Sequence, residues 1–87
     1  MLPADLAARL EAAGLPTDLE GMLEAAVALW PDDTSLHLER APKRLAGNDE
    51  PWYFGGQRAD HPHHEHGATA AEAVASWLLA AKEAQHG

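Results

Sequence analysis

Between Ala70 and Ala81 ten of twelve residues are apolar, with only Glu72 and Ser76 interrupting the run. A helix that is apolar around so much of its circumference has to be covered on more than one side. In a chain of 87 residues that requirement dictates the architecture, because most of the remaining sequence is needed as cover. Val74, Trp77, Leu78 and Ala81 mark the main stripe, and Thr69 with Glu72 has the spacing of a capping box at its start. Either the other elements of the chain wrap this helix, or one face is left for a second copy, giving a homodimer through the C-terminal helix. The last residues, Glu83 to Gly87, are expected to fray.

Two further helices precede it. The first starts near Pro3, a residue suited to a helix's opening turn, and runs through Leu6 and Leu10 to a stop at Gly14. Asp5 lies one turn before Arg9, the favourable orientation for such a pair. The second opens on Thr17-Asp18-Leu19-Glu20, again with capping-box spacing. Leu19, Met22, Leu23, Ala26, Val27 and Trp30 then fall on one helical stripe, which Pro31 ends.

From Thr34 the period changes to two. Leu36 and Leu38 alternate with Ser35, His37 and Glu39, which places the leucines on one face and His37 on the other, toward solvent or a loop. Gly47 to Pro51 reads as a turn, and Trp52-Tyr53-Phe54 as a second strand with Trp52 and Phe54 inward and Tyr53 outward. A third, edge strand within residues 57–66 fits the length but has no apolar alternation to support it. A two-stranded hairpin is marginal alone and needs a helix over it. The expectation is therefore an α+β fold in one domain, residues 1–87, in the order α-α-β-β-α. A short antiparallel hairpin would pack on the C-terminal helix.

The chain has no cysteine, which excludes disulfide staples and thiolate-held zinc. Its formal charge is −8, and the first 33 residues carry most of it. There Asp5, Glu11, Asp18, Glu20, Glu24, Asp32 and Asp33 face Arg9 alone. Arg40, Lys43 and Arg44 are the only basic cluster. Such a balance argues against direct nucleic-acid binding, which needs a positive stripe, and favours solubility or a basic protein partner. Met1 to Asp5 has no positive region of a secretory leader, and no window approaches a membrane span. The expected compartment is the cytoplasm.

Candidate chemistry gathers in one place. Residues 60–66 read Asp-His-Pro-His-His-Glu-His, so four of the six histidines fall there. In an extended segment His64 and His66 point the same way, as do His61 and His63, so either pair offers two imidazoles to one metal. Asp60, Glu65 or His37 would complete a nitrogen and oxygen set suited to Zn²⁺ or Ni²⁺. The competing reading is a solvated loop, with Gly55-Gly56 before it and Pro62 inside it. The spacing is unlike a metalloprotease helix. Ser35 and Ser76 lack the setting of a nucleophile, and Gly55-Gly56 is no phosphate loop. No catalytic residue and no cofactor is assigned, and Trp30, Trp52 and Trp77 read as core. The other candidate surface is acidic: Glu20 and Glu24 stand one turn apart, with Asp18 and the Asp32-Asp33 corner near the helix ends. Tyr53 is an outward aromatic that adds to the candidate docking residues.

The tract Gly67-x-Thr69-x-x-Glu72-Ala73-Val74, following the Trp52 strand, resembles the strand-to-helix junction of HicB-like antitoxin domains. It is similar also to small phage and prophage proteins in which an α+β sandwich ends in such a helix. The resemblance implies a mobile-element origin. In size and acidity the chain is also similar to anti-defence proteins, anti-CRISPRs among them. The expected function is thus a non-enzymatic protein-interaction module, an inhibitor of a basic or nucleic-acid-binding host protein. The rival is a small metal-binding or metal-responsive protein using residues 60–66. A third reading is an enzyme subunit completed by another chain.

Overall fold

A computed structural model describes residues 2–31, 35–40, 50–56 and 64–86. In chain order the elements are α1 (Ala4–Ala12), α2 (Leu19–Leu29), β1 (His37–Arg40), β2 (Trp52–Gly55), β3 (His64–Gly67) and α3 (Ala70–His86). The fold is α+β, as the sequence implies, and the third strand is present as an edge. The sheet order is β1-β2-β3 with both pairs antiparallel.

Helix α3 is the hub. It packs against all three strands on one side and against α1 and α2 on another. Among the described residues neither N-terminal helix packs against a strand, so α3 lies between two outer layers. Ala73, Val74, Ala75, Trp77, Leu78 and Ala81 are fully buried, and their apolar surface is covered within one chain. Trp77 ties the layers together. Its ring sits edge-on to Phe54 of β2 at 5.2 Å between centroids, and to Trp30 at the end of α2 at 5.6 Å. Such T-shaped pairs contribute about 0.5–1.5 kcal/mol beyond area burial. Trp30 and Trp52 pack against the core as half-buried residues.

The helix ends follow local chemistry. Gly14 adopts φ +74°, and the Leu15 N–H reaches back to the Leu10 carbonyl at 2.8 Å while Gly14 N–H bonds Glu11. This is a Schellman stop, in which glycine takes the left-handed position without steric cost. Helix α2 differs from the Thr17 capping box: its N-cap is Asp18, whose carboxylate accepts from the Gly21 N–H at 2.9 Å. Asp18 accepts one of the helix's orphan donors as well as threonine would, and its charge also suits the positive helix end. The α3 start keeps half of its box. Glu72 N–H donates to Thr69 Oγ1 at 3.2 Å, and the Thr69 hydroxyl in turn donates to Glu72 Oε2 at 3.2 Å.

Gly67 closes the β3–α3 junction for a packing reason. A Cβ there would stand 2.5 Å from the Ala73 backbone nitrogen and 2.7 Å from Glu72 Cβ. The glycine of the Gly67-x-Thr69 tract is therefore required by the sharp turn of strand into helix.

Candidate functional site

Register builds the most organised polar surface among the described residues. On the face of the sheet turned away from α3, antiparallel pairing sets His37, Gly55 and His64 in one row across β1, β2 and β3. Glu39, Tyr53 and His66 form the next row. The intervening residues, Leu38, Phe54 and Glu65, face the other way. Phe54 is buried against α3. Strand alternation alone accounts for this division.

Two outer strands of a three-stranded sheet lie about 9–10 Å apart, twice the usual spacing. Residues in the same row of β1 and β3 meet only if nothing stands between them. Gly55 supplies that gap. It has no side chain, it is itself buried, and His37 and His64 lean across it until their Nε2 atoms are 3.3 Å apart. The rings cross at 64° with centroids 5.1 Å apart. On its other nitrogen, His37 Nδ1 lies 2.9 Å from the Ser35 carbonyl oxygen. A carbonyl only accepts, so Nδ1 carries the proton and a neutral His37 presents a lone pair at Nε2. His64 Nε2–H then donates to it, at a distance longer than the roughly 2.9–3.0 Å typical of such bonds.

Tyr53 flanks the pair, edge-on to His37 at 5.9 Å and to His64 at 5.4 Å. Its hydroxyl donates to Glu39 Oε2. That bond to a carboxylate, then partial desolvation, then the negative charge of Glu39 all disfavour the tyrosinate, so its pKa is raised above the ordinary value. His66 tilts against Tyr53 with centroids 5.9 Å apart and is exposed. The expected common direction of His64 and His66 therefore holds, and Tyr53 joins them.

Glu65 is separated from this cluster, because it occupies the opposite face. There it borders a depression of about 220 Å³ together with Arg9, Ser76 and Glu83. This is below the roughly 300 Å³ at which small-molecule pockets usually begin. A neighbouring hollow of about 330 Å³, between Ala12, Ala13, Leu79 and Lys82, only reaches that lower bound.

The acidic candidates lie on the other outer layer. Glu20 and Glu24 are exposed on α2, and Asp18 is engaged as its cap. Leu19 and Val27, expected on the buried stripe, are 36% and 57% exposed. Among the described elements helix α2 packs only on α3. The contact is made by buried Met22 and Ala26 with half-buried Leu23, Ala25, Leu29 and Trp30, which leaves Leu19 and Val27 at its margins. Tyr53 and the α2 carboxylates thus belong to different surfaces, separated by α3. Asp32, Asp33, His61 and His63 lie outside the described residues, as does Asp60.

Among the described residues no group of three metal-ligating side chains converges, and no helix is long and apolar enough to cross a membrane. Neither Glu39 nor Gly55 stands out in the sequence as part of a site. Their signal exists only as strand phase: both fall in step with His37 and Tyr53 once the pairing is known. No family model, curated protein or solved structure matches the chain.

Proposed function

We propose that this chain is a small, non-enzymatic docking module of the cytoplasm that binds a basic protein through the solvent face of α2. One observation carries the reading. Among the described residues Leu19 and Val27 are the large hydrophobic side chains left exposed, and both lie on a helix whose neighbouring outward positions are Glu20 and Glu24. Leu19, half-buried Leu23 and Val27 follow one another at i, i+4 and i+8, with the two glutamates alongside. Apolar residues set beside carboxylates suit a partner that brings aliphatic side chains rimmed by lysine or arginine. The acids steer the encounter, and the buried apolar area holds the complex. Covering Val27 fully would add on the order of 1 kcal/mol, given that about half of it is exposed. An inhibitor of a nucleic-acid-binding protein, of mobile-element type, fits this chemistry.

The test is capture from a lysate of the source cell with the parent chain and with Glu20→Lys/Glu24→Lys. A basic protein held by the parent, released by salt and lost from the double variant supports the reading. A partner retained equally by both chains, or no partner at all, refutes it.

A further inference from the structure

We propose that His37 and His64 form a two-imidazole metal site on the outer face of the sheet, taking a borderline divalent ion, Zn²⁺ first. The remaining coordination positions are left to solvent or to a ligand from outside. This site is independent of α2 docking and lies on the opposite layer.

Geometry is the first support. Two imidazole nitrogens bound to one tetrahedral ion at about 2.0–2.1 Å stand about 3.3–3.4 Å from each other. The two Nε2 atoms are 3.3 Å apart, the separation a shared tetrahedral ion requires, so a small turn of the rings rather than a shift of the strands would aim both lone pairs at it. A right-angled, octahedral pair of ligands would need roughly 3.0 Å, a poorer match.

The second support is the tautomer. Metal-bound imidazoles characteristically donate their other ring N–H to a carbonyl or carboxylate, which fixes the ring and raises its basicity. His37 has that partner in the Ser35 carbonyl, 2.9 Å from Nδ1. Its Nε2 lone pair is already turned toward the site. His64 supplies the second lone pair by moving its proton from Nε2 to Nδ1, the other neutral tautomer. No net proton is released, and the hydrogen bond between the rings gives way to two metal–nitrogen bonds.

The third support is that the backbone makes room. Gly55 is what lets side chains from non-adjacent strands meet, and Tyr53 stands beside the pair in T-shaped contact with both rings. Two protein ligands make a weak, open site, not a structural one, in keeping with the lack of a third converging donor among the described residues. An ion here would pin the two edge strands to each other over β2.

His37 separates this proposal from casual binding by the histidine run, because it lies far from residues 60–66 in sequence and joins them only through the fold. Tag-free full-length chain is titrated with Zn²⁺ by calorimetry, alongside His37→Gln, His64→Gln and His66→Gln, each checked for fold by circular dichroism. The expected result is one ion per parent chain. Affinity should fall about tenfold or more in the first two variants and change less than about threefold in His66→Gln. Substoichiometric Cu²⁺ on the parent should broaden the ring-proton resonances of both His37 and His64, a readout that survives if a variant fails to fold. Unchanged affinity in folded His37→Gln, broadening that spares His37, or no saturable binding at millimolar Zn²⁺ would each overturn the site.

Discussion

The two outer layers of this molecule treat their polar residues in opposite ways. On α2 the glutamates stand in solvent, beside apolar residues that the described parts of the chain leave partly exposed. On the sheet, Glu39, Tyr53, His37, His64 and His66 lean on one another across three strands. A surface of the first kind has its interactions still to make, which suits a macromolecular partner. One of the second kind is already organised, and its remaining capacity is a small, directional one. Both depend on α3, since among the described residues neither layer packs on the other.

The hardest blow to the comparison is therefore Trp77→Ala, which removes the ring that touches both layers. Truncating a buried aromatic costs about 3–5 kcal/mol, a large part of what a domain this small has. Cooperative thermal unfolding should be lost at 37 °C. A melt close to the parent's would mean that the layers hold to α3 without their shared ring.

A smaller effect isolates the α2 layer. Asp18→Ala deletes a cap and should destabilise by about 0.5–2 kcal/mol in urea unfolding. Thr17→Ala should change stability by no more than a few tenths of a kcal/mol, as surface substitutions do. Equal losses from both would restore Thr17 as the cap.

The smallest effect isolates the sheet layer. Tyr53 is the chain's single tyrosine, so the tyrosinate absorbance reports it alone. Its midpoint in the folded protein should lie above the ordinary tyrosine value of 10.0. A raised folded-state pKa means that the folded state holds the proton longer than the unfolded chain. The stabilisation is thus complete below about pH 10 and drains away as pH climbs through the folded midpoint. Glu39→Gln should lower that midpoint. An unmoved midpoint would show that the carboxylate does not govern the hydroxyl.

Much of the fold was legible because helices write their periodicity locally. The α3 run, the Gly14 stop and the inward phase of Phe54 all follow from residue type and spacing. Val27 did not, since a six-residue stripe says which way a helix faces but not how wide its neighbour is. β3 was nearly silent for a related reason: its outer face is His64 and His66, and its inner face is Glu65 and Gly67, so no alternation of apolar residues marks it. The site was harder still. Histidines at 64 and 66 share a direction in any strand, but the meeting of His37 with His64 depends on a register that pairs both with Gly55. Register is a property of three segments together.

The central place of α3 also bears on how the protein comes into being. The ribosome delivers the chain in order, and the five other described elements precede the one they all rest on. Among the described elements, the two helices and three strands of a nascent chain that has reached Gly67 have almost no interior to share. Isolated short helices and small hairpins are marginal in water, so little of this should hold its shape before residues 70–81 emerge. Folding would then be a late and nearly single event, and until it happens Phe54, Trp30 and Met22 are open to chaperones and proteases alike.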